Sequence, residues 1–345
     1  MILLTDSEDE AALRSAFGRV FAKHQQTESD TSASDRVALW SQLAATGALT
    51  MAAPDSSDGD GRATLAQLCV LAEEAGANLH SAGLVEHLAV TRFLGTSTCD
   101  TARDVVLERI STIALRPSSS GRWTSVLTSA TPTLVAGVHL GALGVQRLSP
   151  VSDIGATLGP LRVCDLDVDE EQFVYLAPAA QLQTVLDTWR VLTAAYLIGA
   201  GDCVLARTVA YVADRHQFGR PIGAYQVVQH GLADLPGMLS GARLLVGKAA
   251  WSIDQPDQPP ANDLARNDIN DARVLASMAL LFAVDAANAV VDRALHYHGA
   301  IGAAAETGIH SFYRMVRSLP LLLGPINMQR RLLADLLLEP TWTSR

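Results

Sequence analysis

Apolar residues recur at helical spacing through the first hundred positions. Between Glu8 and Lys23 the apolar positions Leu13, Phe17, Val20 and Phe21 share one face, which predicts a helix buried along that side. Val37–Leu49, Leu65–Ala75 and Leu84–Leu94 repeat the period, with polar breaks at Asp30–Asp35 and Pro54–Arg62. From about Ser111 the texture changes to short β-leaning pieces. These are Ser111–Leu115, Trp123–Thr128, Thr133–Leu140, Val145–Leu148 and Leu161–Leu166, separated by turn-rich Pro117–Arg122, Ser149–Asp153 and Gly155–Pro160. They predict a small antiparallel sheet ending near Pro178. Helical spacing then returns over Val185–Val212, Ile222–Trp251, Leu264–His296, Glu306–Arg317 and Pro325–Leu338, with a loop at Asp254–Pro260. Gly199 and Gly201 inside the first of these helices would each cost about 1 kcal/mol, so they predict a close approach of another helix.

This order is an α+β layout, mostly α. An N-terminal helical domain is expected over 1–103, a reduced middle β-domain over 104–180 and a C-terminal four-helix bundle over 181–345.

Composition narrows the function classes. Hydrophobic residues make up 49% of the 345 and charged residues 18%, enough apolar surface to expect burial against another subunit. The net charge of −10, without a Lys/Arg run, argues against nucleic acid. Cys69, Cys99, Cys164 and Cys203 lie far apart, which suits a reducing cytoplasm better than a disulfide framework or a metal site. The acidic N-terminus lacks the basic flank of a signal peptide, and the run Val274–Val284 is cut by Asp285 before it could span a bilayer.

Several patterns fail as chemistry. Asp165, Asp167 and Asp169 mimic a calcium loop, but Glu170 and Leu176 stand where glycine and glutamate are required. The glycines of Gly137–Gly144 precede no long helix, so they form no dinucleotide turn. His296 and His298 point to different helical faces, Ser118–Ser120 lacks a nucleophile elbow, and adjacent Glu73 and Glu74 read as a solvated face.

Two segments remain. Asp214–Gln226 places Arg215 at the mouth of a helix–helix joint, with Gly219 as its αL cap and Pro221 opening the next helix. Ala294–Glu306 ends a helix in His296-Tyr297-His298-Gly299-Ala300. Taken alone, Arg215 could cap its own helix and the glycines could simply terminate helices.

Together the two segments resemble the C-terminal domain of acyl-CoA dehydrogenases. There a helix ends in Arg-x-x-Phe-Gly-x-Pro-Ile, followed by an aromatic-Gln pair, and a later helix ends in Gln-x-x-Gly-Gly. The stretches Arg215–Ile222, Tyr225-Gln226 and His296–Ala300 match, with His296 in place of Gln and Ala300 in place of the second glycine. The resemblance implies FAD shared with a partner subunit. Arg215, Gln217, Phe218, Gln226, His296, Gly299 and Ala300 would close over its ADP half, Arg215 through a bidentate fork on phosphate oxygens.

The resemblance also marks what is missing. The family's catalytic glutamate precedes the last helix, where this chain has Leu323; the alternative seat, before an arginine in the first bundle helix, holds Trp189. No segment matches the Thr-Glu-Pro-x-Ala-Gly-Ser-Asp cradle of the middle domain. A chain of this kind resembles the shortened, base-less subunit of actinobacterial α2β2 acyl-CoA dehydrogenases, which act in steroid degradation. The implied function is dehydrogenation of an acyl-CoA, a steroid-derived one being the best candidate, with no catalytic residue in this chain and the base in its partner. Two other expectations stay open: a homomeric flavin-binding dehydrogenase using Glu306 or Asp187, or a structural dimerisation protein that binds no flavin.

Overall fold

The computed structural model describes residues 6–23, 33–53, 61–79, 83–94, 110–128, 132–148, 156–158, 161–255 and 269–338. Most of the loop expected at 54–62, most of the 149–160 segment and the 256–268 connection therefore lie outside the described residues.

Four helices come first: α1 (Glu8–Lys23), α2 (Ala33–Ala45), α3 (Leu65–Ala77) and α4 (Leu84–Leu94). α1 starts on a reciprocal cap, Ser7 with Glu10, and α3 on another, Thr64 with Gln67, so free amides of both first turns are satisfied. The strands β1 (Ser111–Ile113), β2 (Arg122–Leu127), β3 (Leu134–His139), β4 (Ala142–Arg147), β5 (Ala156–Leu158), β6 (Leu161–Asp167) and β7 (Val174–Pro178) follow. They form two sheets, β1-β3-β4-β7 and β2-β6-β5, and β1 runs parallel to β3. The expectation of one antiparallel sheet is thus corrected: a period of two reports faces, not strand direction, and β5 is three residues long within turn-rich sequence. Trp123, Val126, Val135 and Leu166 fill the space between the sheets. Gly137 and Gly144 are cross-strand partners whose missing side chains leave room for Trp123 and Phe173. That is why those glycines cluster without forming a phosphate turn.

The remaining helices are α5 (Leu182–Asp214), α6 (Gln226–Ala233), α7 (Leu235–Asp254), α8 (Ala272–His298), α9 (Ile309–Ser318) and α10 (Ile326–Leu337). The single helix expected over Ile222–Trp251 is corrected to a 3-10 turn (Ile222–Ala224) followed by α6 and α7. Pro236, in the first turn of α7, has no N–H to continue a ladder. The start expected at Leu264 is corrected to Ala272, where the Asp271 carboxylate accepts from Arg273 N and Val274 N.

At 33 residues α5 runs about 50 Å through the molecule and touches α3, α4, α7 and α8. Its glycines are what let it be crossed so closely. A Cβ on Gly199 would lie 1.9 Å from Glu73 O of α3, and one on Gly76 of α3 would lie 2.0 Å from Tyr196 O. Gly201 admits Leu239 of α7 in the same way.

Glu73 corrects the solvated-face reading. It is buried and held by Arg14 of α1 at 3.1 Å and Arg243 of α7 at 3.2 Å; burial pushes its carboxyl up while the two arginines oppose that. Ala179–Asp214 and Ala272–Ala303 are both long and apolar enough to cross a bilayer, which the short run Val274–Val284 did not suggest. Their windows are 72% and 67% buried inside the fold, where they form its centre.

Candidate cofactor site

The end of α5 explains how Arg215 is presented. The helix stops at Asp214 and Arg215 turns to extended backbone, φ −76° and ψ 116°. Its N–H still donates to Tyr211 O at 2.9 Å, and its carbonyl accepts from Ile222 N at 2.7 Å. The backbone is therefore pinned on both sides while the side chain is exposed, making no hydrogen bond or ion pair with the other described residues.

Beyond it a two-stranded hairpin, β8 (His216–Gln217) with β9 (Arg220–Pro221), turns through Phe218 and Gly219 at φ +53° and +81°. Two positive φ angles in a two-residue loop make a type I′ turn, whose twist matches the strands. Gly219 is accordingly a hairpin residue, not the helix cap expected from sequence. Phe218 at positive φ costs on the order of 1 kcal/mol, and its ring is 93% exposed, so no burial among the described residues compensates for that strain. The Tyr225 hydroxyl donates to Gln217 O at 3.2 Å, and Arg220 lies over the Tyr225 ring at 3.9 Å, bracing the hairpin against the start of α6. Gln226 opens α6, exposed and 3.3 Å from His230.

α8 ends beside it. Gly299 takes φ +60° and ψ −141°, a conformation open to glycine, and donates its N–H to Leu295 O. His296, Gly299 and Ala300 are exposed, whereas His298 is buried with its Nδ1–H donating to Ala294 O at 2.9 Å.

The two segments are joined by residues that sequence reasoning passed over. Tyr211 and His298 stack at 4.2 Å between ring centroids and 19° between planes. The Tyr297 hydroxyl donates towards Val227 O at 3.4 Å and Val228 O at 3.5 Å, tying α8 to α6. The only sequence signal was an aromatic residue four positions before Arg215 and two rings after His296.

Electrostatically this corner joins two helix C-termini, α5 and α8, with one N-terminus, α6. The C-terminal carbonyls repel anions, so a dinucleotide pyrophosphate needs the Arg215 charge, with amides of the first turn of α6 as further donors. An unpaired guanidinium, an exposed aromatic on a rigid turn and a glycine-lined helix end fit the ADP half of FAD.

The two base seats lie elsewhere. Leu323 ends a 3-10 turn (Leu319–Leu323) before Gly324, and Gln329 Nε2 fastens that turn by donating to Pro320 O and Gly324 O, both at 2.9 Å. Leu323 lines a cavity of about 230 Å³ together with Gln183, Arg190, Ser277 and Leu332, and no carboxylate is among its lining residues. Asp187 stands behind Arg190, buried and bound by that arginine at 2.6 Å and by Gln183 at 2.7 Å; burial raises its carboxyl, and both partners oppose the rise. Glu306 is exposed.

Trp189 is fully buried, and its Nε1–H donates to Glu86 Oε1 of α4 at 2.7 Å. Glu86 Oε2 has no hydrogen-bond partner among the described residues, and burial pushes this carboxyl up to about 6 against the lowering effect of Trp189. The folded chain therefore holds a proton that the unfolded chain releases between about pH 4.5 and 6. Stability from this group is fully present below that window and lost as pH rises through it, by about 2 kcal/mol. Glu86→Gln keeps an acceptor for Trp189 and removes the titration. Its urea-derived stability relative to wild type should improve by about 2 kcal/mol between pH 4.5 and 7; a difference constant across that range contradicts the assignment.

The acyl-CoA dehydrogenase C-terminal domain model matches residues 179–338. Curated relatives 31–36% identical align over 137 to 159 residues, and the chain spans 44% or less of the length of these first relatives. Against acyl-CoA dehydrogenase IpdE2 of Mycobacterium tuberculosis the chain is 26% identical over 98% of itself and 100% of that protein. Among solved structures, a chain of the Tcur3481-Tcur3483 steroid ACAD superposes with a TM-score of 0.79 at 23% identity, covering 95% of this chain and 97% of that one. A chain of the ChsE4-ChsE5 complex from Mycobacterium tuberculosis gives 0.75 at 20%, covering 97% and 99%. At these identities the structures carry the fold: this chain has the acyl-CoA dehydrogenase architecture.

Proposed function

We propose, from the match of residues 179–338 to the acyl-CoA dehydrogenase C-terminal domain model, that the chain is the non-basic subunit of a heteromeric, FAD-dependent acyl-CoA dehydrogenase. The reaction is α,β-dehydrogenation, in which a base takes the Cα proton and FAD supplies the acceptor for the Cβ hydride. This chain contributes to a flavin site completed by its partner. Arg215 holds phosphate oxygens, Phe218 and Gln217 cover the adenosine half, and Gln226 bonds ribose or pyrophosphate. His296, Gly299 and Ala300 form the opposite lip.

The observation that carries this reading is the hairpin: an unpartnered arginine and a strained, 93% exposed phenylalanine on a turn pinned to two helices. Such a surface suits a group held between two chains. The cavity beside Leu323 has no carboxylate in its lining, which supports assigning the base to the partner. A steroid-derived acyl-CoA is the substrate class proposed, in keeping with the steroid ACAD among the structural neighbours.

The test is to express the chain alone and together with the base-bearing acyl-CoA dehydrogenase encoded beside it, then record flavin absorbance and acyl-CoA-dependent dye reduction. Flavin and activity are expected only in the complex. Both in the chain alone would favour a homomeric enzyme, with Asp187 beside the cavity-lining Arg190 as its base. No flavin in a stable complex would favour a structural protein.

A further inference from the structure

The exposed residues of the flavin lip come from two helices more than seventy positions apart, and little in their own side chains sets their relative position. Arg215 is free at its side chain and fixed only through its backbone to Tyr211 and Ile222. Gly299 carries no side chain, and its amide is tied to Leu295 O. What connects them is one layer deeper. Tyr211 lies one helical turn before Arg215 and its carbonyl receives the Arg215 N–H, so a rotation of Tyr211 moves the Arg215 backbone directly. His298 immediately precedes Gly299 and is locked by Nδ1–H donation to Ala294 O. The two rings stack at 4.2 Å and 19°, a near-parallel contact between the last turns of α5 and α8.

The neighbouring residue makes a second tie in another direction. Tyr297 reaches α6 through its hydroxyl, and Gly231 leaves the space it needs, since a Cβ there would lie 2.0 Å from that oxygen. Consecutive rings of one dipeptide thus register α8 against the helix that presents Arg215 and the helix that presents Gln226.

We propose that Tyr211 and His298 are positioning residues for the flavin site, their stack setting the spacing between Arg215 and the Gly299 lip. The inference rests on the flavin reading above. Neither residue need touch the cofactor: Tyr211 is half-buried and His298 buried. Their contribution is pre-organisation, which lowers the ordering cost of binding.

The experiment titrates FAD into whichever deflavinated assembly holds it, the complex or the chain alone. Tyr211→Leu and His298→Leu, which lose the stack, should each weaken FAD binding roughly 3- to 10-fold, the worth of one aromatic pair. Tyr211→Phe, which keeps it, should bind as wild type. In an Arg215→Ala background the leucine variants should add little, because the group they position is gone. The fold is monitored by urea unfolding, and the rescue by phenylalanine separates positioning from general destabilisation. If Arg215→Ala weakens binding while both leucine variants leave it unchanged, the positioning role fails and the flavin reading stands. If the leucine variants weaken binding equally with and without Arg215, the rings act on stability alone and the proposal also fails. FAD binding that ignores Arg215, or is absent from both assemblies, overturns the two readings together.

Discussion

Gly199→Ala is expected to destabilise the chain by about 3–5 kcal/mol, the largest stability loss anticipated for a single methyl group in this fold. A Cβ at Gly199 would lie 1.9 Å from Glu73 O and 2.6 Å from its carbonyl carbon, both backbone atoms that no rotamer change can move. The reciprocal contact, Gly76 against Tyr196 O at 2.0 Å, means that α3 and α5 meet backbone to backbone at both points. Separating them would also pull Glu73 from Arg243 and Arg14, leaving a buried carboxylate short of its partners. Against this, alanine gains about 1 kcal/mol of helix propensity, far less than the separation costs. Gly237→Ala supplies the control. Gly237 lies in the first turn of α7, and a Cβ there would meet nothing within 4 Å, so the change should be neutral or stabilising by up to about 1 kcal/mol. Urea midpoints for the two variants read both effects; a Gly199→Ala midpoint close to wild type would mean that α3 can shift away at little cost.

That crossing was visible in the sequence as an expectation of close approach, but its partner was not. Gly76 sits 123 positions earlier, and no local pattern couples it to Gly199. The same limit explains Glu73. Its neighbours in sequence suggest a solvated face, whereas its actual partners, Arg14 and Arg243, arrive from α1 and α7. Helix existence was legible wherever one apolar face persisted, as in α1 and α4, whose ends coincide with the pattern. It failed between Ile222 and Trp251 because the apolar period continues across a helix break that only Pro236 betrays. In the sheets, alternation located most strands but could not distinguish the parallel β1–β3 pair from an antiparallel one. At the candidate cofactor corner Arg215, Phe218 and Gln226 stood out by residue type, while Tyr211, Tyr297 and His298 did not. A ring in the last turn of a helix looks like ordinary core until its stacking partner is known.

Arg215→Ala is expected to weaken FAD binding by roughly 10- to 100-fold in the assembly that holds the cofactor, with almost no change in the stability of the fold. The first half follows from charge-assisted hydrogen bonds to phosphate, worth about 1.5–3 kcal/mol when one partner is removed. The corner makes the loss more severe than a bare count of contacts suggests. The C-termini of α5 and α8 lie at it and Asp214 adjoins it, so without the guanidinium a pyrophosphate loses the nearest charge that offsets them. The second half follows from the geometry: Arg215 is exposed and its side chain holds no other described residue, so its removal should shift stability by less than about 0.5 kcal/mol. Arg215→Lys separates charge from shape. A lysine keeps the charge but loses the planar fork, so binding should fall between wild type and alanine and become more sensitive to salt. Flavin retention through gel filtration and equilibrium titration of the deflavinated assembly measure the effect. Retention unchanged by Arg215→Ala would remove this arginine from the cofactor site and, with it, the reason the hairpin is pinned at both ends.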